Sequence, residues 1–214
     1  MKKAVVIGGT GMVGNELIKQ LVNNKNYSEV VSLVRRRSGF THPKLNEQLI
    51  DFDKPEEYKL LIDGDVLFSA LGTTRANAKT KDAQYRVDFE YQFQVAQIAA
   101  QQGVKRYVLV SSAGANASSG NFYLRMKGQL DDAVATLGFE TTSIIRPGQL
   151  DGNRKEKRLG EKISLKIMYF LNTLGLFRKY RPIQASEVAL ALMNAAEKQK
   201  TSIYTLSEVF ELAR

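Results

Sequence analysis

Short runs of β-branched and other apolar residues alternate with longer amphipathic segments along residues 1–150. The apolar runs predict strands of a sheet that is covered on both faces, at Lys3–Ile7, Val30–Val34, more weakly Gln48–Asp51, then Asp65–Ser69, Arg106–Ser111 and Thr141–Arg146. Helical spacing of apolar residues predicts helices between them at Gly11–Val22, Pro55–Ile62, Asp82–Gln102 and Asn121–Leu137. This order predicts an α/β fold with a doubly wound parallel sheet.

The alternation lapses after residue 150 into a basic, apolar stretch. It resumes with a predicted helix at Ser186–Lys198 and a short strand at Ser202–Leu206. The chain shows no internal repeat. We therefore expect a single domain over residues 1–214, with a core at 1–150 and a small substrate-side lid and closing elements at 151–214.

The composition excludes several kinds of chemistry. The chain has no cysteine and one histidine, His42, so disulfides, thiol catalysis, iron–sulfur clusters and Cys/His zinc sites are ruled out. We expect no metal. Glycines follow Ile7 too early for the apolar region of a signal peptide, and no apolar run approaches the roughly 18 residues that span a bilayer. The sequence therefore predicts a cytoplasmic protein without a transmembrane segment.

The net charge of +9 is concentrated in two segments of the chain. Residues 1–37 contain seven lysines and arginines against two acidic residues, and residues 151–181 contain nine against three. This distribution fits either general affinity for nucleic acid or recognition of an anionic small molecule at two points. The motifs favour the small molecule, because no basic face interleaved with aromatic residues is present.

A glycine-rich loop follows the first predicted strand and opens the first predicted helix. Its glycines are Gly8, Gly9, Gly11 and Gly14. Glycine lets the backbone turn tightly and approach a pyrophosphate, and the start of the helix offers free N–H groups to the phosphates. The loop predicts a dinucleotide-binding site formed by Gly8, Thr10, Gly11, Met12, Val13 and Gly14.

The end of the second predicted strand indicates which dinucleotide binds. Sites that prefer NAD usually place an acidic residue about 20 residues beyond the loop, where it binds the ribose 2′-hydroxyl. This chain has Arg35 and Arg36 there, and arginine can bind a 2′-phosphate with two hydrogen bonds. The sequence therefore predicts a preference for NADP(H) over NAD(H).

Tyr123 and Lys127 lie four residues apart, on one face of the helix that follows the fifth strand. That strand ends in Ser111 and Ser112, and ligands of open α/β sheets bind at the carboxyl ends of the strands. A nearby ammonium lowers the pKa of a phenol, which makes the phenol an effective proton donor and acceptor. A serine hydroxyl can orient a carbonyl oxygen. These residues predict hydride transfer between a carbonyl and an alcohol.

The chain resembles the atypical, NADP-binding short-chain dehydrogenases/reductases, which have the Rossmann fold, and especially their Tat-interacting-protein subgroup of oxidoreductases. The resemblance rests on motifs between residues 5 and 150: Gly8–Gly14, Leu71–Arg75, Arg86–Asp88, Val110–Ala115, Asn121–Gly128 and Arg146–Gly148.

The resemblance implies a role for each matched residue. Tyr123 would be the catalytic acid and base, Lys127 its charged partner and a ribose ligand, and Ser112, rather than Ser111, would orient the carbonyl. The cofactor would also be lined by Leu71, Gly72 and Thr73, with Pro147 and Gly148 facing the nicotinamide carboxamide. Many family members carry asparagine where this chain has Asp88, so Asp88 either replaces it or indicates a slower enzyme.

Substrate and partners are less constrained by the sequence. Arg75, Asn121 and Gln149 are candidate substrate contacts for a small metabolite. The basic stretch 151–181 is either a lid or a surface for a protein partner, and we expect no specific nucleic acid. Two alternatives to the oxidoreductase stay open: an epimerase or dehydratase-like isomerase on the same scaffold, and a non-catalytic regulator that responds to NADP(H). Monomer and dimer are equally compatible with the sequence.

Overall fold

A computed structural model of the chain describes residues 1–151 and 181–214. Its main feature is a sheet of seven parallel strands in the order β3-β2-β1-β4-β5-β6-β9. The strands are β1 (Lys2–Ile7), β2 (Tyr27–Val34), β3 (Leu45–Leu49), β4 (Val66–Ser69), β5 (Arg106–Val110), β6 (Thr141–Arg146) and β9 (Ser202–Thr205). A separate two-stranded sheet pairs β7 (Leu150–Asp151) with β8 (Ile183–Gln184).

Helices cover both faces of the main sheet. They are α1 (Met12–Asn23), α2 (Pro55–Tyr58), α3 (Arg75–Ala78), α4 (Lys81–Tyr85), α5 (Tyr91–Gln101), α6 (Phe122–Ala135), α7 (Ala185–Ala196) and α8 (Ser207–Leu212). A 3₁₀ turn at Lys59–Leu61 extends α2, and a π-helical turn at Arg86–Glu90 joins α4 to α5. The predicted doubly wound α/β fold is confirmed.

Successive residues of each central strand point to opposite faces, so the sheet has two apolar cores. One core lies under α1 and α7 and includes Ala4, Val6, Leu17, Leu21, Val188 and Leu192. The other lies under α5 and α6 and includes Val5, Ile7, Val95, Ala99, Leu130 and Val134. Because both faces are buried, the central strands β1, β4 and β5 contain runs of consecutive apolar residues rather than an alternating pattern.

Residues 181–214 complete the main sheet and one of its cores. β9 pairs with β6, and α7 packs against α1, where the side-chain amide of Gln20 donates to the Ser186 carbonyl at 2.9 Å. These residues are therefore closing elements of the fold. The lid expected within 151–214, and most of the basic stretch 151–181, lie outside the described residues.

The structure differs from the predicted elements mainly at short segments. β3 begins at Leu45, three residues before the predicted strand, since polar residues at an exposed edge weaken the apolar signal. The sequence did not predict α3, α8 or the β7–β8 pair, each too short for a periodic pattern. In the described part of the chain, no helix is long and apolar enough to cross a membrane.

Candidate active site

The glycine loop crosses from the end of β1 to the start of α1 in a conformation that requires glycine. Gly8 has a φ of +82°, and a Cβ added there would lie 2.3 Å from the carbonyl carbon of Ala70. A Cβ on Gly14 would lie 2.2 Å from the carbonyl oxygen of Gly8. The loop is thus packed against both its own helix and the end of β4, with no room for a side chain at Gly8 or Gly14.

The first turn of α1 is open to an anion. Gly11 precedes the helix and supplies no side-chain cap, and the first turn contains no acidic residue. Thr10 and Gly11 are exposed, Met12 is half-buried and Val13 is buried beneath the loop. Free backbone N–H groups at such a helix start bind phosphate well, so these residues fit the pyrophosphate of a dinucleotide.

The arginines after β2 are not equivalent. Arg35 and Arg36 are exposed, whereas Arg37 donates through Nη1 to the carbonyl of Glu47 at 3.3 Å. The Glu47 carboxylate accepts from the backbone N–H of Ser38 at 3.0 Å, which holds the turn after the arginines against β3. Arg35 and Arg36 therefore project at the carboxyl end of β2, on the same sheet edge as the glycine loop.

The loop after β4 lies beside the glycine loop because β1 and β4 are adjacent strands. Leu71 is buried, Gly72 is exposed and Thr73 is half-buried. The backbone N–H of Thr73 donates to Oδ1 of Asp88 at 2.6 Å. Arg75 follows in the short helix α3 and is exposed.

Asp88 is the buried centre of the π-helical turn between α4 and α5. Burial raises the pKa of its carboxyl, while the nearby positive charge of Lys127 and the hydrogen bond from Thr73 oppose that rise. Its backbone carbonyl accepts from the Gln92 side chain at 2.7 Å, and Gln92 in turn accepts from Ser69 at 2.7 Å. Such single π-helical turns occur frequently at functional sites.

The helix α6 brings Tyr123 and Lys127 to the carboxyl end of β5. Tyr123 is 37% exposed in the first turn, and Lys127 is 4% exposed one turn later. A long, charged side chain is seldom buried to this extent without a role for its charge. The two predicted partners therefore share one helix face, with the phenol at the surface and the amine inside.

The two serines after β5 have different surroundings. Ser111 is buried and its hydroxyl donates to Oδ2 of Asp131 at 2.9 Å. Ser112 is half-buried, and its hydroxyl donates to the carbonyl of Ala113 at 3.4 Å. Of the two hydroxyls, that of Ser112 is the more accessible to a substrate.

The loop before α6 packs tightly on that helix. A Cβ on Gly128 would lie 2.2 Å from the backbone nitrogen of Ala117, so glycine is required for the contact. Asn121 caps α6 by accepting from the backbone N–H groups of Tyr123 and Leu124, at 2.9 and 3.2 Å. The side-chain oxygen of Asn121 therefore caps the helix, whereas the sequence indicated Asn121 only as a candidate substrate contact.

The end of β6 joins the same region. The carbonyl of Pro147 accepts from the backbone N–H of Ala113 at 3.0 Å, which ties the ends of β6 and β5 together. Gly148 is half-buried against Leu206, and the carbonyl of the exposed Gln149 accepts from the Ile183 N–H at 3.0 Å. Pro147 and Gly148 therefore stand beside the serines at this edge of the sheet.

One functional candidate, Asp131, was not predicted from the sequence. Asp131 is buried on α6, one turn after Lys127, and its Oδ2 also accepts from Nε of Arg146 at 2.9 Å. The spacing of Asp131 from Lys127 was visible in the sequence, but its burial was not. Within residues 1–151 and 181–214, no group of three or more His, Cys, Asp or Glu side chains could hold a metal ion.

Known proteins resemble this chain in both sequence and fold. A family model described as NAD(P)H-binding matches residues 8–166. Protein FMP52-1, mitochondrial, of Scheffersomyces stipitis is 36% identical over 91% of this chain and 88% of its own length. Protein HTATIP2 of Rattus norvegicus is 36% identical over 77% of this chain and 69% of its own. The Bordetella bronchiseptica enzyme WbmH, solved with NAD⁺, aligns with a TM-score of 0.73 at 16% identity, over 96% of this chain and 76% of its own.

One prediction from the sequence is wrong. The fungal relatives are named as mitochondrial proteins, which contradicts the prediction of a cytoplasmic location. The cytoplasmic prediction relied on the lack of a secretory signal and of an apolar span. Those features separate secreted and membrane proteins from others, and they do not distinguish the cytoplasm from the interior of an organelle.

The glycine loop, the parallel sheet and the relatives agree with one another. The resemblance to the Tat-interacting-protein subgroup is confirmed by HTATIP2, and the similarity to WbmH reproduces the Rossmann fold. The chain belongs to the NAD(P)H-binding family of Rossmann-fold proteins.

Proposed function

We propose that the protein is an NADP(H)-dependent oxidoreductase that interconverts a carbonyl and an alcohol on a small metabolite. The observation that carries this proposal is the placement of Tyr123 and Lys127 on α6, with the phenol exposed and the amine buried beside the carboxyl end of β5. Ligands of doubly wound sheets bind at this edge, where the glycine loop also ends.

The dinucleotide would lie across the carboxyl ends of β1, β4, β5 and β6. The glycine loop would hold its pyrophosphate, and Leu71, Gly72, Thr73, Pro147 and Gly148 would flank the rest. When bound, the nicotinamide supplies or accepts the hydride. Lys127 would hydrogen-bond the ribose next to that ring.

The preference for the phosphorylated cofactor rests on Arg35 and Arg36. Both side chains are exposed at the end of β2, and neither is in an ion pair with a described residue. Two free guanidinium groups suit a 2′-phosphate, and no carboxylate follows β2 directly to bind a 2′-hydroxyl.

The protein side chains would handle the proton. In reduction, a hydride adds to the carbonyl carbon, the C=O π electrons move to oxygen, and the Tyr123 hydroxyl donates its proton to that oxygen. The positive charge of Lys127 stabilises the phenolate that results, and the Ser112 hydroxyl orients the carbonyl. In oxidation the same groups act in reverse.

The test compares Tyr123→Phe with Tyr204→Phe, which removes a hydroxyl from the edge strand β9. We expect Tyr123→Phe to reduce turnover of a panel of aldehydes and ketones by at least about a hundredfold, the usual contribution of a positioned acid, while the Kd for NADPH stays the same. Tyr204→Phe should leave both unchanged. Unchanged turnover in Tyr123→Phe rejects the catalytic assignment.

Net consumption of NADPH and a pull-down, measured for the wild type and Tyr123→Phe, separate the other functions considered for this scaffold. An epimerase or dehydratase returns the hydride to its product, so it shows no net consumption of NADPH. A non-catalytic regulator would show an NADPH-dependent pull-down of a partner that survives Tyr123→Phe. Net oxidation of NADPH that requires Tyr123 supports the oxidoreductase against both.

A further inference from the structure

Asp131 connects three elements that meet at the candidate active site. Its Oδ2 accepts from the hydroxyl of Ser111 at the end of β5 and from Nε of Arg146 at the end of β6, each at 2.9 Å. Asp131 itself is carried by α6, and its side chain is 1% exposed. One buried oxygen thus joins the serine-bearing strand end, the strand end before Pro147 and the helix of Tyr123.

The second oxygen of the same carboxylate, Oδ1, differs from Oδ2 in its hydrogen bonding. Oδ1 of Asp131 is buried and has no hydrogen-bond partner among the residues that the structure describes. An unpartnered oxygen of a buried carboxylate is unfavourable, and a nearby positive charge compensates for it. Burial raises the pKa of Asp131, and the charges of Arg146 and Lys127, with the hydrogen bond from Ser111, oppose that rise.

Lys127 is the basic residue nearest to Asp131 along α6, and its positive charge acts on the Asp131 carboxyl, although the structure shows no hydrogen bond or ion pair between the two side chains. Lys127 lies one helical turn before Asp131, so both side chains project from one face of α6, and both are buried. We infer that Asp131 is a positioning residue, whose negative charge attracts the amine of Lys127 toward the Ser111–Ser112 strand end. This inference rests on the proposed function, in which Lys127 contacts the cofactor ribose.

The role has a consequence that opposes simple electrostatics. Removing a negative charge near a site for an anionic cofactor strengthens binding if charge alone matters. If Asp131 instead positions Lys127, its neutralisation weakens binding, because the amine loses its orientation and Ser111 and Arg146 lose a shared acceptor. The sign of the change in NADPH affinity therefore distinguishes an effect of charge alone from the positioning of Lys127.

The test measures the Kd for NADPH from the fluorescence of the reduced nicotinamide, in Asp131→Asn and in Asp132→Asn. Asp132 is the exposed neighbour on the same helix, so its variant makes the same change of charge outside the cluster. We expect Asp131→Asn to raise the Kd about tenfold, as for the loss of one charge-assisted hydrogen bond, and Asp132→Asn to change it less than twofold.

A double variant separates positioning from a general structural effect. In a Lys127→Met background, Asp131→Asn should change the Kd less than about twofold, since residues that act as a unit are not additive. A loss of the same size with and without Lys127 would overturn the inference, as would binding by Asp131→Asn that is equal to or tighter than that of Asp132→Asn.

A further variant keeps the test decisive if Asp131→Asn does not fold. Ser111→Ala removes one donor to the same carboxylate with little change in volume, and it should raise the Kd about threefold. An unchanged Kd in a folded Ser111→Ala would then count against the inference. A wild-type protein that binds no nicotinamide dinucleotide rejects the proposed function, whereas a wild type that binds, with an Asp131 variant that also binds normally, rejects only the role of Asp131.

Discussion

The carboxylate of Asp88 accepts a 2.6 Å hydrogen bond from the backbone N–H of Thr73. This contact joins the π-helical turn before α5 to the loop after β4, which is proposed to flank the cofactor. Because Asp88 is also close to the charge of Lys127, one buried carboxyl links that loop to the amine of the candidate active site. Its ionisation should therefore affect the stability of the whole region.

The pH dependence of unfolding tests this link. The folded-state pKa of Asp88 is raised above the ordinary 3.8, chiefly by burial. The folded protein therefore holds this proton more tightly than the unfolded chain. The resulting stabilisation is fully present below pH 3.8 and is lost as the pH rises through the raised pKa. Asp88→Asn should remove this part of the pH dependence in urea unfolding, and the exposed Asp82→Asn should not. Identical pH profiles for wild type and Asp88→Asn would contradict the expectation.

Two glycines with nearly the same backbone conformation provide a test of the glycine loop. Gly8 and Gly39 have φ of +82° and +81°, but a Cβ on Gly39 meets nothing within 4 Å. Gly39→Ala should destabilise the fold by about 1 to 2 kcal/mol, the cost of the left-handed conformation. Gly8→Ala adds overlap with Ala70, for about 1 to 3 kcal/mol more, and should abolish dinucleotide binding. Urea unfolding and NADPH titration measure both, and equal effects would show that the close packing does not matter.

The arginines after β2 allow a test of cofactor preference. Replacing Arg35 and Arg36 together by alanine should raise the Kd for NADPH at least about tenfold, because charge-assisted hydrogen bonds to the 2′-phosphate are lost. The Kd for NADH should change little. Arg37→Ala is the control, since Arg37 donates to the Glu47 carbonyl instead. An equal loss of affinity for both dinucleotides would contradict a specific role for Arg35 and Arg36.

The cap of α6 separates a structural role of Asn121 from a substrate role. Asn121→Ala should lower the free energy of unfolding by about 1 kcal/mol, because two backbone N–H groups lose their acceptor. Asn121→Asp keeps an acceptor oxygen and should retain stability. If Asn121→Asp is stable yet loses turnover, the side-chain amide also contacts the substrate, as the sequence analysis expected. Thermal unfolding together with the carbonyl panel decides between the two.

Apolar patterns within the longer strands and helices were sufficient to predict the fold. β1, β4 and β5 contain runs of consecutive apolar residues, and the glycine loop between β1 and α1 has a spacing that few structures can accommodate. The short elements α3 and α8 were missed because four to six residues cannot show a helical period. Extra strand residues at Tyr27–Glu29 were missed because their polar members lie where β2 enters the sheet.

The site could be predicted only as far as it lies within single motifs. Tyr123 and Lys127 share one helix, so their relationship follows from spacing alone. The contacts of Asp131 with Ser111 and Arg146 join positions 20 and 15 residues away, and they depend on which strands are neighbours. Burial of a carboxyl such as that of Asp88 likewise depends on the elements packed over it, and no local sequence pattern predicts that burial.

The packing of α7 on α1 determines when, during translation, this part of the fold can form. The glycine loop and α1 are translated before α7 (Ala185–Ala196), which packs on the apolar face of α1. A nascent chain that has not yet exposed α7 leaves Leu17 and Leu21 without their packing partners. We therefore expect nucleotide binding to require translation of α7, although the glycine loop proposed to hold the pyrophosphate precedes it in the chain.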